Sequence, residues 1–214
     1  MKAGYDTIYN KHIKPKLGFV FALLLVVFLL PLYVVISVAI ILDDGFPVFY
    51  RADRGGYNGK TFKIFKFRSM VKDADKIGGG TTALNDSRIT KVGFFLRKTK
   101  LDEIPQLFNI LNGTMSFIGP RPELLNYTNQ YQGEEKCILM VRPGITDFSS
   151  IEFINLDEMV GCENADEMYE KTILKRKNQL RIKYANSVSF CTDVKIFSIT
   201  VCMVIQKIVK FIVK

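Results

Sequence analysis

The chain of 214 residues has no tryptophan, a single histidine and four cysteines. His12 stands beside a long apolar run and has no second histidine to work with, which excludes a Ser–His nucleophilic pair and a histidine metal cluster. Cys137, Cys162, Cys191 and Cys202 follow neither Cys-x-x-Cys nor metal-ligand spacing and read as reduced thiols of a cytosolic domain. There is no long linker, no internal repeat and no low-complexity block. After the apolar run about 170 residues remain, enough for one compact domain. The formal net charge of +9 favours an anionic partner, whether nucleic acid, acidic lipid or a nucleotide substrate.

Charge is also missing from Leu17 to Leu42. That run exceeds the roughly 20 apolar residues that carry a helix across a bilayer. It is too long for a cleaved signal, and no small-x-small site follows it. Lys11, Lys14 and Lys16 precede it, placed to hold its near end at anionic headgroups, and Asp43-Asp44 follow. A positive-inside count keeps the N-terminus in the cytoplasm and exports the rest. Two features oppose that reading. Pro31, near the middle, removes an intrahelical hydrogen bond and kinks or breaks a helix. The rest of the chain is itself rich in basic residues, which suits the cytoplasmic side. The residues thus leave open a hairpin returning to one face and a Pro-kinked span.

The most informative stretch is Thr99-Lys-Leu-Asp102-Glu103-Ile-Pro-Gln-Leu-Phe-Asn-Ile-Leu-Asn-Gly113, followed by Gly119-Pro-Arg-Pro122. Two adjacent carboxylates stand at the head of a short apolar helix, framed by Arg97, Lys98, Lys100 and Arg121. Carboxylates inside a cationic frame suit a phosphorylated substrate: the cations hold phosphates, and the carboxylates bind a divalent metal or attack phosphorus. Capping competes with this reading. Thr99 with Asp102 matches an N-cap with an acidic third residue, Pro105 is tolerated in a first turn, and Gly113 is a C-terminal stop. Capping does not account for Arg97, Arg121 or the Gly-Pro-Arg-Pro turn. A phosphate docking near the helix start is also consistent with the dipole there.

The remaining elements follow from pattern. Val48–Ala52 and Thr61–Met70 read as strands joined through Gly55-Gly-Tyr-Asn-Gly59. The second carries Lys63, Lys66 and Arg68 among aromatic and aliphatic residues, a basic surface for phosphates or headgroups. Lys72–Ser87, with Gly78-Gly79-Gly80, reads as a loop, Ile89–Arg97 as a short helix, Glu123–Gln132 and Asp166–Tyr184 as helices, and Arg142–Thr146 as a turn. In Ser187–Lys214, Phe190, Val194, Phe197, Val201, Val204, Ile205, Ile208 and Ile212 recur at three- and four-residue steps, with Lys207, Lys210 and Lys214 on another face. Basic amphipathic helices of this kind lie in membrane interfaces. A core helix with a solvated basic face is the alternative.

Taken together, the Pro-broken apolar run, Lys66-Phe-Arg-Ser-Met70, Asn85-Asp-Ser-Arg-Ile-Thr-Lys-Val-Gly93, Leu96–Leu107, Asn109–Gly113, Met115–Pro122 and Arg142–Thr146 resemble the bacterial sugar transferases of the monotopic phosphoglycosyl transferase class. The resemblance covers nearly the whole chain. It implies a mainly helical α+β fold, with a re-entrant helix-break-helix at 1–43, a cytosolic catalytic domain at 44–186 and an interfacial amphipathic helix at 187–214, on the cytoplasmic face of the inner membrane. It implies transfer of a sugar phosphate from a nucleotide diphosphate sugar to polyprenyl phosphate, with release of a nucleoside monophosphate. Asp102 would be the nucleophile and Glu103 a Mg²⁺ ligand, with Asp102 beside it. Lys66, Arg68, Arg97, Arg121, Pro122 and Arg142 would bind substrate. Membrane lipid is an implied partner and nucleic acid is not; a second copy of the chain stays open.

Two departures stand out. The break is Leu30-Pro31 where Ser-Pro is common in the family. After Pro143-Gly-Ile-Thr146 the chain reads Asp147-Phe-Ser-Ser-Ile-Glu-Phe in place of a segment with Trp and Arg, which puts sugar and nucleotide recognition in question. The competing function is a membrane-anchored basic module binding anionic lipid or nucleic acid without catalysis. It would need no organised carboxylate pair.

Overall fold

The computed structural model describes residues 3–77, 86–156 and 165–212. The expected loop with Gly78-Gly79-Gly80, together with Asn85, Cys162 and Lys214, lies outside them. The apolar run forms α1, Lys14–Asp44, a single helix with Pro31 inside it. It ends at Gly45, whose φ of 70° with ψ of −157° is a backbone conformation that glycine adopts at little cost. Among the described residues it is the one helix long and apolar enough to cross a membrane.

A helix apolar on every side must find apolar surroundings on every side. One face of α1 finds them in the protein. Ala22 packs with Phe62, Ile64, Leu107, Ile110 and Met115. Further along, Tyr33, Ile36 and Ile40 pack with Phe67 and Leu96, and the Tyr33 hydroxyl donates to the Ile104 carbonyl at 3.0 Å. Both ends are tied as well. Lys14 is buried against Asp193 at 2.9 Å, Asp43 accepts from the Val92 amide at 2.9 Å, and Asp44 meets Arg68 at 3.2 Å. The opposite face, with Leu24, Val27, Phe28, Val34, Val35 and Leu42, is exposed. The sequence expectation that Lys14 joins Lys11 and Lys16 at lipid headgroups is therefore corrected: Lys11 and Lys16 are exposed, whereas Lys14 points into the fold.

Strands β1, Phe49–Gly55, and β2, Thr61–Phe67, pair antiparallel from Phe49↔Phe67 to Gly55↔Thr61. Asn58 and Gly59 both have positive φ, 55° and 73°, the backbone that Asn-Gly supplies in tight hairpins. Phe62 and Ile64 point into the core beside α1 while Lys63 faces solvent.

A second pair, β3 at Ser116–Ile118 and β4 at Gly144–Thr146, is parallel. Sequence reading made Arg142–Thr146 a turn. Three-residue strands show no alternation, and what makes this pair is the close approach of two glycines. A Cβ on Gly144 would meet the Gly119 nitrogen at 2.1 Å, and one on Gly119 would meet the Arg142 carbonyl at 2.3 Å. This contact presses Gly-Pro-Arg-Pro against Arg142-Pro-Gly and so fixes where Arg121 starts.

Helix α2, Lys91–Thr99, is capped by Thr90, whose hydroxyl accepts from the Gly93 amide. The capping-box reading of Thr99 fails. Thr99 is the last residue of α2 and its hydroxyl donates back to the Phe95 carbonyl at 2.8 Å. Lys100 then takes a left-handed φ of 60°, Leu101–Glu103 makes a tight 3-10 turn, and α3, Gln106–Leu111, starts from Pro105. The expected helix at Glu123–Gln132 shrinks to Leu125–Thr128, because the Glu123 carbonyl accepts from the Gly55 amide and stays extended.

Helix α4, Phe148–Glu152, is capped by Asp147, which accepts from the Ser150 amide. The predicted helix at Asp166–Tyr184 is present as Ala165–Met168, a wide turn at Tyr169–Leu174, and α5, Lys175–Asn186. The final helix, α6, covers Phe190–Ile212. Its Ile196 joins Ile118, Val141, Tyr184 and Val188 in a core cluster. Phe190, Val194, Phe197, Val201 and Ile205 remain exposed along it, so this stripe is not core packing.

Candidate active site

The turn between α2 and α3 places Asp102 and Glu103 on the wall of a cavity of about 990 Å³. Lys66 from β2, Arg97 from α2, and Arg121 and Pro122 from the segment after β3 line the same cavity. The two carboxylates meet different environments. Glu103 is gripped by Arg121: Nη1 donates to Oε2 at 2.9 Å and Nη2 to Oε1. Lys66 Nζ lies 3.3 Å from Oε1. Burial alone would raise the Glu103 carboxyl, but Arg121 and Lys66 outweigh it and hold the group well below the usual range. Asp102 is buried, and its Oδ1 has no hydrogen-bond partner among the described residues. Burial raises its proton affinity, with Lys66 opposing and the Glu103 charge adding to the rise. Neighbouring carboxylates driven apart in this way take different chemical roles.

Arg121 is fixed by a third contact, Nη1 to the Ile145 carbonyl on β4 at 3.0 Å. Arg68 also lines the cavity, but its Nη2 is committed to the carbonyls of Asp44 at 2.8 Å and Gly45 at 2.6 Å. It clamps the end of α1 and keeps one buried nitrogen, Nη1, without a partner among the described residues. Arg142 stands outside the cavity lining. Its Nε donates to the Gly113 carbonyl at 3.2 Å, and its guanidinium lies 4.8 Å from the centre of the Tyr57 ring.

A model of the bacterial sugar transferases matches residues 9–207. The chain belongs to the bacterial sugar transferase family. It is 35% identical over 204 residues to the UDP-glucose:undecaprenyl-phosphate glucose-1-phosphate transferase of Escherichia coli (strain K12), covering 92% of this chain and 42% of that protein. It is 33% identical over 169 residues to the sugar transferase EpsL of Bacillus subtilis (strain 168), covering 78% of this chain and 75% of that protein. It is 38% identical over 124 residues to the UDP-N-acetylgalactosamine-undecaprenyl-phosphate N-acetylgalactosaminephosphotransferase of Aeromonas hydrophila, covering 56% of this chain and 29% of that protein. The chain thus spans less than half the length of the first and third of these.

The cavity extends beyond the residues named from sequence. Toward α1 its wall is apolar, with Leu25, Leu29, Phe49 and Ile64. Away from α1 it reaches Tyr127, Ser149, Ser150, Phe153, Tyr169 and Lys177. Lys177 gave no signal in the sequence because Lys175-Arg-Lys177 looks like a solvated run, yet its side chain is buried. Gln106 is fully buried, with neither amide atom partnered among the described residues.

Proposed function

We propose that the chain transfers a sugar phosphate from a nucleotide diphosphate sugar to a polyprenyl phosphate, and that Asp102 carries the sugar phosphate between the two. The observation that carries this reading is the division of labour in the carboxylate pair. Cations neutralise Glu103, while Asp102 keeps a buried, unpartnered oxygen of raised basicity on the cavity wall. An Asp102 oxygen attacks the sugar-linked phosphorus, the bond from that phosphorus to the bridging oxygen breaks, and the nucleoside monophosphate leaves with the bonding electrons. The resulting acyl phosphate is then attacked by a polyprenyl phosphate oxygen, which frees Asp102. Splitting one displacement into two is the usual gain from a covalent intermediate. Arg97 and Lys66 neutralise phosphate oxygens, and Arg121, locked to Glu103 and Ile145, presents a fixed planar donor set. The functions of these relatives support a UDP-sugar donor and an undecaprenyl phosphate acceptor.

Mg²⁺ fits this site in a sparse way. Both Glu103 oxygens are engaged, and among the described residues no group of three or more His, Cys, Asp or Glu side chains could hold a metal. The open donor is Asp102 Oδ1, with Glu103 adjacent, and Mg²⁺ commonly takes one or two carboxylates and completes its shell with phosphates and water. When bound it would neutralise diphosphate charge.

Membrane association is supported by the exposed faces of α1 and α6. The attachment of both ends of α1 to one domain supports a helix that enters and leaves on one side. A helix standing across the bilayer would separate its ends by about 30 Å of hydrocarbon.

The reaction is tested by incubating the protein with donor alone. One equivalent of nucleoside monophosphate should appear, and an intact-mass shift equal to the sugar phosphate should map to Asp102. Turnover should begin only on adding polyprenyl phosphate. No monophosphate release before the acceptor is added, with turnover after it, would replace the covalent route by direct transfer. No turnover at all would favour the basic membrane module.

A further inference from the structure

Lys177 is a buried cation for which the carboxylate pair has no use. Its Nζ lies 3.3 Å from the Tyr169 hydroxyl, the one hydrogen-bond acceptor it has among the described residues. The nearby carboxylate, Glu123, is taken by Arg181 at 2.5 Å and by the Tyr169 hydroxyl. An ammonium carries three donors. Among the described residues two of them have no acceptor, on a side chain that lines the cavity. Burial lowers the Lys177 pKa to about 8, Glu123 opposing and Arg181 and Arg121 adding to the fall. That is the condition of a cation that lacks its anion. Around it the recess is aromatic. The Tyr127 and Tyr169 rings stand 5.8 Å apart, and Phe153 lies 6.0 Å from Nζ. Ser150 adds a hydroxyl oriented by Asp147 at 2.8 Å.

A cation without a carboxylate of its own among the described residues, next to aromatic faces, fits a phosphate joined to a flat ring. We infer that this recess holds the nucleoside monophosphate half of the donor, with Lys177 on its phosphate and the Tyr127–Tyr169–Phe153 surface against the nucleoside. The inference rests on the proposed reaction and assigns a place to its leaving group. It gives the Asp147-Phe-Ser-Ser segment a position beside the nucleotide. Lys177 acts on binding and departure of the nucleotide, not on the acceptor.

The test is a calorimetric titration of UMP, uridine and inorganic phosphate into the full chain in lipid nanodiscs. Wild type should bind UMP. Lys177→Met, which keeps the apolar stem against Tyr169, should weaken UMP by about ten- to a hundredfold, the usual worth of a charge-assisted hydrogen bond. Lys177→Arg should retain most of it, and uridine should be affected little by either change. In turnover, Lys177→Met should raise KM for the nucleotide sugar by a similar factor and leave KM for polyprenyl phosphate unchanged. Equal UMP affinity in wild type and Lys177→Met, no UMP binding by wild type, or a change confined to the polyprenyl phosphate KM would each overturn the assignment. Should Lys177→Met not fold, amine acylation of the wild type read by mass spectrometry decides: UMP must protect Lys177, and lack of protection refutes the subsite. Failure of sugar transfer with intact, Lys177-dependent UMP binding would refute the reaction and leave the subsite standing.

Discussion

Lys14, at the first turn of α1, and Asp193, in the first turn of α6, form a buried ion pair with Nζ 2.9 Å from Oδ2. Tyr184 donates to Asp193 Oδ1 at 2.5 Å and Tyr9 to Oδ2 at 2.8 Å, and Lys14 also donates to the Tyr184 hydroxyl. The two helices with exposed apolar faces are thus joined through one carboxylate. Removing one partner of such a pair strands the other charge. Asp193→Ala should lower stability by about 3–5 kcal/mol, measured by denaturant unfolding in nanodiscs, whereas replacing both partners with apolar residues should recover most of the loss. A loss below about 1 kcal/mol for Asp193→Ala would show that the pair is not holding the helices together.

Asp102→Asn should abolish turnover, with a fall of more than about a thousandfold, as expected when the nucleophile of a covalent mechanism is lost. It should not destabilise the fold. The carboxylate it removes is buried with an unpartnered oxygen, so the amide relieves a charge without breaking a contact at that atom. Loss of activity together with a large drop in melting temperature would reassign Asp102 to structure.

Glu103→Gln should release Arg121 and Lys66 from their shared anion and cost about a hundred- to a thousandfold in kcat, in the range seen when one preorganised electrostatic contact is lost. Arg121→Lys should lose part of the same effect, because a point charge cannot make the two parallel contacts of the guanidinium. Activity should also vanish in excess chelator and return with Mg²⁺. Full activity in chelator would remove the metal from the reaction.

What the sequence disclosed was local. Asn58-Gly59 announced its hairpin, Asp102-Glu103 stood between Arg97 and Arg121 within one stretch of chain, and the apolar run could hardly be missed. What it concealed depended on partners far along the chain. Lys14 looked like a headgroup anchor because Asp193 is at the other end of the protein. The β3–β4 pair was invisible because three residues carry no period, and its cause is the meeting of Gly119 with Gly144. Thr99 and Asp102 matched a capping spacing, but a left-handed Lys100 separates them into the end of one helix and the turn before the next. Lys177 lay in a basic run whose burial comes from Tyr169 and the Glu123–Arg181 pair.

Lys177 also sets a pH dependence. Its pKa falls from the ordinary 10.5 to about 8 on folding. The folded state therefore binds the proton less tightly than the unfolded state. The penalty is complete below about pH 8 and is relieved as pH rises from 8 toward 10.5. Over that window Lys177 should add about 1–3 kcal/mol of stability to the wild type. Lys177→Met should lack this component, so the stability difference between the two proteins should change with pH in that window. A difference independent of pH between 8 and 10 would mean that Lys177 keeps an ordinary pKa and a satisfied ammonium.

The last expectation concerns the membrane. A helix of 31 residues is long enough to cross a bilayer, and α1 runs on through Pro31. Its contacts argue for another placement. Lys14 is held by Asp193, Ala22 by the core under β2 and α3, Tyr33 by the Ile104 carbonyl, and Asp44 by Arg68, so the domain follows the helix from end to end. If the domain is cytoplasmic, both ends of α1 are cytoplasmic too. The lipid would meet only the outer face. Asp102, one turn from Ile104, would then lie near the headgroups where a lipid phosphate can reach it. An added N-terminal cysteine, in a chain with Cys137, Cys162, Cys191 and Cys202 replaced, should resist an impermeant thiol reagent in intact cells and react after lysis. Labelling in intact cells would place the N-terminus outside, which the Lys14–Asp193 pair forbids for a cytoplasmic domain. That result would require the α1 contacts to open in the membrane.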